Sequence, residues 1–259
     1  MKIAYLGIDL LGSALRAALE EGCQILRVFT CPADNVTEFN TGVIETAARL
    51  GVPATLERIA PDDLRALSDA GCELLLCAGY YYRVPLTDAF PMVNLHPAPL
   101  PDCRGPWPMP LILMGAYPCG GAALHRMARD FDAGDILLQR TFPLDEGETL
   151  AGYMRKVDAL VPDLLHTLLS DLPGCLARAV PQGKGRYLPN PGESCWTVEA
   201  EMSAAEADRV LRAFYGYECV YRRGAERYEL IGGRAVRGER SGPFPLRDGR
   251  VEAPRARRL

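Results

Sequence analysis

The sequence predicts an α/β protein, with a doubly wound, mostly parallel sheet followed by a small β-rich C-terminal domain. Three observations predict it. Apolar strand-like runs alternate with stretches of helical periodicity over residues 1–172, as in a parallel sheet with crossover helices. Residues 72–78 form an unbroken apolar run, which a strand covered on both faces requires. Residues 181–192 are turn-rich and lose all periodicity, and short β segments between glycines follow. The boundary is therefore placed near Gly192, giving domains 1–192 and 193–259.

The elements follow in order. Residues 1–6 are a first apolar strand ending at Gly7, and Leu11, Ala14, Leu15 and Ala18 recur at helical spacing until Gly22. Residues 23–30 alternate and end at Pro32, a second strand. Helices are expected over 43–50, stopped by Gly51, and over 61–70, opened by Pro61 and closed by Gly71, with a short strand over 54–56 between them. Residues 93–95 are a further strand, 107–114 a helix, and 122–127 and 136–142 a strand pair joined across an acidic turn. Thr149 opens a long amphipathic helix to about Leu172, on which His166 reads as a helix-face or core histidine. Ser203 caps a helix to about Phe214, and residues 220–221, 228–231 and 235–236 are short strands.

Composition narrows the function classes. The 259 residues carry a net charge of −4, with 48% hydrophobic and 24% charged residues, ordinary for a globular protein. No run is long enough to span a bilayer, and the N-terminus is a weak signal peptide because its apolar part breaks at Gly7 and Asp9. Nine scattered cysteines without C-x-x-C or zinc spacing fit a reduced, cytoplasmic setting. No nucleic-acid, membrane or metal partner is expected, and a homodimer is left open. The arginine-rich C-terminus is diluted by glutamates and reads as a solvated face. The Rossmann-like first turn, Gly7-Ile8-Asp9-Leu10-Leu11-Gly12, does not predict a dinucleotide, because Asp9 stands where the second glycine of that fingerprint is needed.

Chemistry concentrates in residues 92–136. Asn94 and His96 alternate with Leu95 in a strand-like run, so both side chains face the same way. An amide donor beside an imidazole can hold an oxyanion while the imidazole moves a proton. The turn Asp130-Phe131-Asp132-Ala133-Gly134-Asp135 supplies carboxylates, one of which would fix the tautomer of His96 and raise its pKa. His96 has no serine beside it, which disfavours a Ser-His-Asp hydrolase. Cys103, in the loop that follows, is the cysteine to watch. The three tyrosines of Gly79-Tyr80-Tyr81-Tyr82-Arg83 lie at the carboxyl end of the buried strand, where α/β sheets bind ligands. They read equally as a heterocycle wall or as plain packing.

NLHPAPLPDCRG followed by DFDAGDIL resembles the signature of the 10-formyltetrahydrofolate-dependent formyltransferases: an Asn-x-His motif, a proline-leucine loop ending in Arg-Gly, and an Asp-x-Gly-Asp turn. The resemblance covers residues 74–157 well. It implies a folate-dependent enzyme with Asn94, His96 and Asp132 as catalytic residues. It implies folate contacts from Tyr81, Tyr82, Arg83, Val84, Leu100 and Asp130, and a loop ordered by Arg104. The co-substrate implied is 10-formyltetrahydrofolate, with no metal. A protonated His96 would stabilise the oxyanion while an amine attacks the formyl carbon. The expected acceptor is a primary amine or hydroxylamine of a small molecule, such as an amino sugar nucleotide. His125 favours this, since it matches a histidine usual in the sugar and ribonucleotide enzymes. The alternatives are methionyl-tRNA formylation, hydrolysis of the formyl folate, and a non-catalytic folate- or sugar-binding module.

Overall fold

A computed structural model describes residues 1–32, 40–214 and 219–259 of the chain. The chain runs β1 (Lys2–Gly7), α1 (Ser13–Glu20), β2 (Gln24–Phe29), α2 (Thr41–Leu50), β3 (Ala54–Thr55), α3 (Pro61–Asp69), β4 (Leu74–Ala78) and β5 (Met92–His96). It continues through α4 (Pro108–Leu111), β6 (Cys119–Arg126), β7 (Ile136–Pro143), α5 (Leu150–Ser170) and α6 (Leu172–Ala177). The C-terminal part contributes β8 (Thr197–Glu199), α7 (Ala204–Ala213), β9 (Cys219–Arg223), β10 (Glu226–Ile231), β11 (Arg234–Arg237), β12 (Gly249–Glu252) and β13 (Arg255–Arg258).

Seven strands form one sheet in the order β3-β2-β1-β4-β5-β6-β7. Pairing is parallel from β3 to β5 and antiparallel from β5 to β7. The period of two along each strand divides the core. Ile3, Tyr5, Leu74, Leu76, Val93 and Leu95 face α1 and α5. Ala4, Leu6, Leu75, Cys77 and Met92 face the other side, with Leu64 and Leu67 of α3. Asn94 and His96 share the parity of Met92, so they sit on the α3 side, at the end of the sheet where β4 and β5 finish.

The helices start and stop for readable reasons. Thr149 accepts a hydrogen bond from Gly152 N and caps α5, and Ser203 and Glu206 cap α7 reciprocally. Gly51 ends α2 in the left-handed region. Asp9, which ruled out the dinucleotide reading, has a different duty: its carboxylate accepts from Gly42 N and Val43 N, both at 2.8 Å, and so closes the start of α2. The helix expected over 107–114 is shorter than its pattern suggests. α4 ends at Leu111 and a wider π-type turn over Ile112–Ala116 follows, with Gly115 at φ 98°. His166 is exposed and pairs with Glu21 at 2.9 Å.

Two small sheets lie beyond Gly192: β13-β10-β9-β8, and β11 with β12. Their strands β8, β12 and β13 carry too few alternating residues to stand out in the sequence. They share a core of Val198, Leu211, Phe214, Tyr221 and Leu246, which Trp107, from the loop before α4, joins. Trp107 meets Phe214 edge-on at 5.6 Å, and the Trp107 and Trp196 ring centroids are 6.4 Å apart.

Because Leu165 is fully buried in the α5 face, Leu165→Ala is expected to cost about 2–5 kcal/mol of unfolding free energy. Thr149→Ala, which removes only the cap, is expected to cost about 1 kcal/mol. Urea denaturation of both variants gives the comparison.

Candidate active site

Register, more than sequence proximity, builds the site. The antiparallel pairing of β5 with β6 sets Asn94 directly opposite His125, and cross-strand partners share a face. The Asn94 Nδ2 atom lies 3.0 Å from His125 Nε2. His125 Nδ1 lies 2.8 Å from the Arg126 carbonyl oxygen, so Nδ1 carries the hydrogen and Nε2 is left to accept from Asn94. A register shift in the pairing of β6 with β7 at Leu124/His125 marks the point where the strand yields to the acidic turn.

That turn delivers Asp132 to the same face. Its Oδ1 lies 3.5 Å from His96 Nδ1, 3.4 Å from His125 Nε2 and 3.4 Å from Asn94 Nδ2. Its Oδ2 accepts from Gly105 N at 2.9 Å. The group is nearly closed to solvent: His96 is 4% exposed, His125 2% and the Asp132 side chain 11%. Asp132 has φ 54°, a left-handed conformation that costs a non-glycine residue on the order of 1–3 kcal/mol unless neighbours hold it. Gly134 follows because a Cβ there would fall 2.0 Å from the Arg126 carbonyl oxygen.

Burial governs the two central groups differently. For Asp132 it pushes the carboxyl pKa up, but the charge that His96 carries in acid, the contact with His125 and the Gly105 N–H outweigh it and hold the group at about 2. For His96 burial pushes the pKa down, and the opposing pull of Asp132 and of the Cys103 carbonyl does not recover the ordinary value of 6.5. The expectation of a raised His96 pKa, with a protonated resting imidazole, is thus corrected: desolvation of a fully enclosed ring exceeds the attraction of one carboxylate. Neutral His96 keeps its hydrogen on Nε2, which donates to the Cys103 carbonyl oxygen at 2.7 Å. Its Nδ1 then faces Asp132 without a proton. Cys103 serves through this carbonyl, since its own thiol is buried and pushed up to about 12.

The remaining expected residues lie on the neighbouring 79–86, 97–105 and 129–135 segments. Tyr81 is 47% exposed and Phe131 50%. The Arg83 guanidinium sits 4.7 Å from the Phe131 ring centre and donates to the Arg129 carbonyl oxygen at 2.8 Å, joining the 79–86 segment to the acidic turn. Tyr82 is half-buried under the Arg58 guanidinium at 4.4 Å and against the edge of Tyr80. Val84 and Leu100 are buried. The Leu100 backbone is gripped in both directions by the Gln139 amide, at 2.7 and 3.2 Å. Asp130 is exposed.

One contributor escaped the sequence reading. Residues 181–188, read only as a change of composition, fold back over the site as a strap. Arg104 pairs with Tyr187, its carbonyl accepts from Leu188 N at 2.7 Å, and its guanidinium donates to Gln182 and to the Gly183 carbonyl. Arg104 is thus bound to its own chain, which supports its expected role in ordering the loop. The strap presses so closely that a Cβ on Gly105 would fall 2.0 Å from the Leu188 carbonyl oxygen.

Parts of the chain are similar to known proteins. The formyl transferase family matches residues 41–169. The methionyl-tRNA formyltransferase of Fervidobacterium nodosum is 28% identical over 179 residues, covering 67% of this chain and 57% of that protein. The chain therefore spans less than three fifths of that relative's length. Among solved structures, HypX of Aquifex aeolicus in complex with tetrahydrofolic acid superposes with a TM-score of 0.74 at 18% identity, over 100% of this chain and 44% of HypX. A sugar N-formyltransferase from a Shewanella species superposes with a TM-score of 0.66 at 18% identity, over 86% of this chain and 93% of that one. At such identities these superpositions speak to the fold.

Two outcomes test the site. Gly105 has φ 124° and no room for a Cβ, so Gly105→Ala is expected to destabilise the protein and to loosen the Gly105–Asp132 bond, seen as a lowered Tm. The second outcome concerns pH. Both folded pKa values lie below their ordinary ones, so both groups contribute stability at neutral pH that acid removes. Loss begins as pH falls through 6.5, when unfolded His96 gains a proton that the folded ring resists. It deepens between 3.8 and about 2, where Asp132 is protonated first in the unfolded chain, a contribution on the order of 2 kcal/mol. Urea midpoints across this range should fall less steeply in Asp132→Asn below pH 4 (about the unperturbed carboxyl value).

Proposed function

Since residues 41–169 belong to the formyl transferase family, we propose that the chain transfers a formyl group from 10-formyltetrahydrofolate to an amine. The observation that carries this is the single carboxylate of Asp132 within 3.5 Å of His96, His125 and Asn94 in a nearly closed site. The co-substrate supplies a formyl carbon bound to nitrogen, which a neutral amine can attack. Exposed aromatic rings suit a flat heterocycle. Tyr81 and Phe131 keep about half of their surfaces open, an exposure that a stacked ring would cover. Tyr81, Tyr82, Arg83, Val84, Leu100 and Asp130 are the residues assigned to that contact.

The site's own groups divide the work. One Asn94 N–H is held by His125 at 3.0 Å, while the other makes only a long 3.4 Å contact with Asp132. This second hydrogen is free to turn to a formyl oxygen and stabilise the negative charge that develops there. Neutral His96 accepts the amine's proton at Nδ1, and the tetrahedral intermediate then breaks its bond to the folate nitrogen, which takes that proton and leaves as tetrahydrofolate. The imidazolium so formed is bonded at Nε2 to the Cys103 carbonyl and faces Asp132 at Nδ1. Asp132 is ionised throughout the neutral range, so it stabilises that charge without competing for the proton. Residues 193–259, taken as a separate small domain, buttress the loop through Trp107.

A small-molecule acceptor, such as an amino sugar nucleotide or a hydroxylamine, is favoured. Residues 193–259 hold 13 arginines and 11 acidic residues. Arg212, Arg222, Arg223, Arg227, Arg234, Arg237, Arg247, Arg250 and Arg257 each lie within 4.0 Å of a carboxylate. A face neutralised in this way offers little net attraction to phosphates. The expected exclusion of nucleic acid was nonetheless too strong. It rested on a net charge of −4, and the similar proteins include methionyl-tRNA formyltransferases. Formylation of methionyl-tRNA is therefore the second reading.

The test is incubation with 10-formyltetrahydrofolate and a panel of amino sugar nucleotides, hydroxylamines and methionyl-tRNA, read by mass spectrometry. A formylated acceptor is expected. Formate released at full rate without any amine would replace transfer by hydrolysis, and no turnover with any member would overturn the proposal. His96→Ala and Asp132→Asn are expected to abolish turnover while the protein stays folded. Asn94→Ala is expected to lower kcat about 100- to 1000-fold.

A further inference from the structure

We infer that Gln182 is the positioning residue of the site: it holds Asp132 in its left-handed backbone conformation and so keeps the carboxylate against His96. The inference rests on the proposed transfer chemistry only for its effect on rate. Its geometry stands by itself.

The Gln182 side chain uses its hydrogen-bonding capacity on the turn and its neighbour. Its Nε2 donates to the Asp132 carbonyl oxygen at 2.7 Å and to the Gly134 carbonyl oxygen at 2.5 Å. Its Oε1 accepts from Arg104 Nε at 2.9 Å. Arg104 therefore fixes which way the amide points, because a flipped amide would set its oxygen against two carbonyls and its nitrogen against a guanidinium. Arg104 is fixed in turn by the Gly183 carbonyl and by the pairing of its backbone with Arg186 and Leu188.

The turn needs this clamp. Among the described residues, Asp132 is the non-glycine residue with positive φ, at 54°, a conformation stable only where the surroundings impose it. The carbonyls on either side of Ala133 point to one donor. Pinning both fixes the local backbone, and with it the direction of the Asp132 Cβ. On the other side of the same residue, Gly105 N holds Oδ2 at 2.9 Å. Gly105 is itself pressed by Leu188 of the strap. Backbone and carboxylate of Asp132 are thus set by one segment, residues 181–188, which lies beyond the 41–169 span matched by the family.

The discriminating variant is Gln182→Glu. It keeps the volume and still accepts from Arg104, but it presents a carboxylate to two carbonyl oxygens. Gln182→Leu removes donors and acceptor together and serves as the second variant if Gln182→Glu does not fold. In either, kcat is expected to fall about 10- to 100-fold, the scale of a misplaced catalytic group, with KM for 10-formyltetrahydrofolate within about twofold. A readout independent of turnover is the ¹⁵N titration of the imidazoles, of which the chain has three. His96 faces Asp132, the Cys103 carbonyl and His125, and Asp132 is the group that opposes the lowering of its pKa. Withdrawal of Asp132 should move the His96 titration to still lower pH. A folded Gln182→Glu protein with parental kcat and a parental His96 titration would overturn the inference. A shifted His96 titration in a protein that formylates nothing would leave Gln182 as the clamp and remove the transferase reading instead.

Discussion

A carboxylate enclosed in protein must be surrounded by donors and positive charge, or it ceases to be a carboxylate. Asp132 meets that demand through the Gly105 N–H, the Asn94 amide and the charge that His96 carries in acid, and most of the surrounding structure follows from where those three groups have to be. β5 and β6 must pair antiparallel in the observed register to bring Asn94 and His125 together. The loop from Pro97 to Trp107 must return so that the Cys103 carbonyl meets one nitrogen of His96 and the Gly105 amide meets Asp132. The strap must then lie across Gly105, where no side chain fits.

The same demand explains why the His96 and Asp132 pKa values both move down, although the two groups carry opposite charge. Burial disfavours the ionised form of each. Asp132 has enough donors to overcome that, whereas His96 has one carboxylate and one carbonyl and does not. The outcome is a permanently ionised acid beside a neutral base. A site charged in this way can receive a proton and retain the resulting charge. A resting imidazolium would have no room for that proton.

The parts beyond the sheet are tied to the chemistry by a few contacts. Trp107 follows Gly105 by two residues and packs against Trp196 and Phe214, so the small C-terminal core reaches the loop that holds Asp132. Arg212 of α7 also donates to the Glu148 carbonyl at the start of α5. These contacts give the β-rich unit a mechanical connection to the site, separate from any part it plays in choosing an acceptor.

The alternation of strands and helices, the parity that turns Asn94 and His96 to one face, and the caps at Thr149 and Ser203 were all legible in the sequence. Each depends on residues only a few positions apart. The Asn-x-His run and the Asp-x-Gly-Asp turn were legible for the same reason, and the structure brings their Asn94, His96 and Asp132 side chains together. Tertiary structure decided the rest. The strand register alone sets His125 against Asn94, across 31 residues. Enclosure alone lowers the pKa of His96, because the desolvation of a ring depends on what covers it. Gln182 was hidden most deeply. It lies 50 residues from Asp132, in a stretch without periodicity, and it acts on backbone carbonyls. Any residue can present a carbonyl, so no side-chain pattern in the sequence advertises the partner that one of them will find.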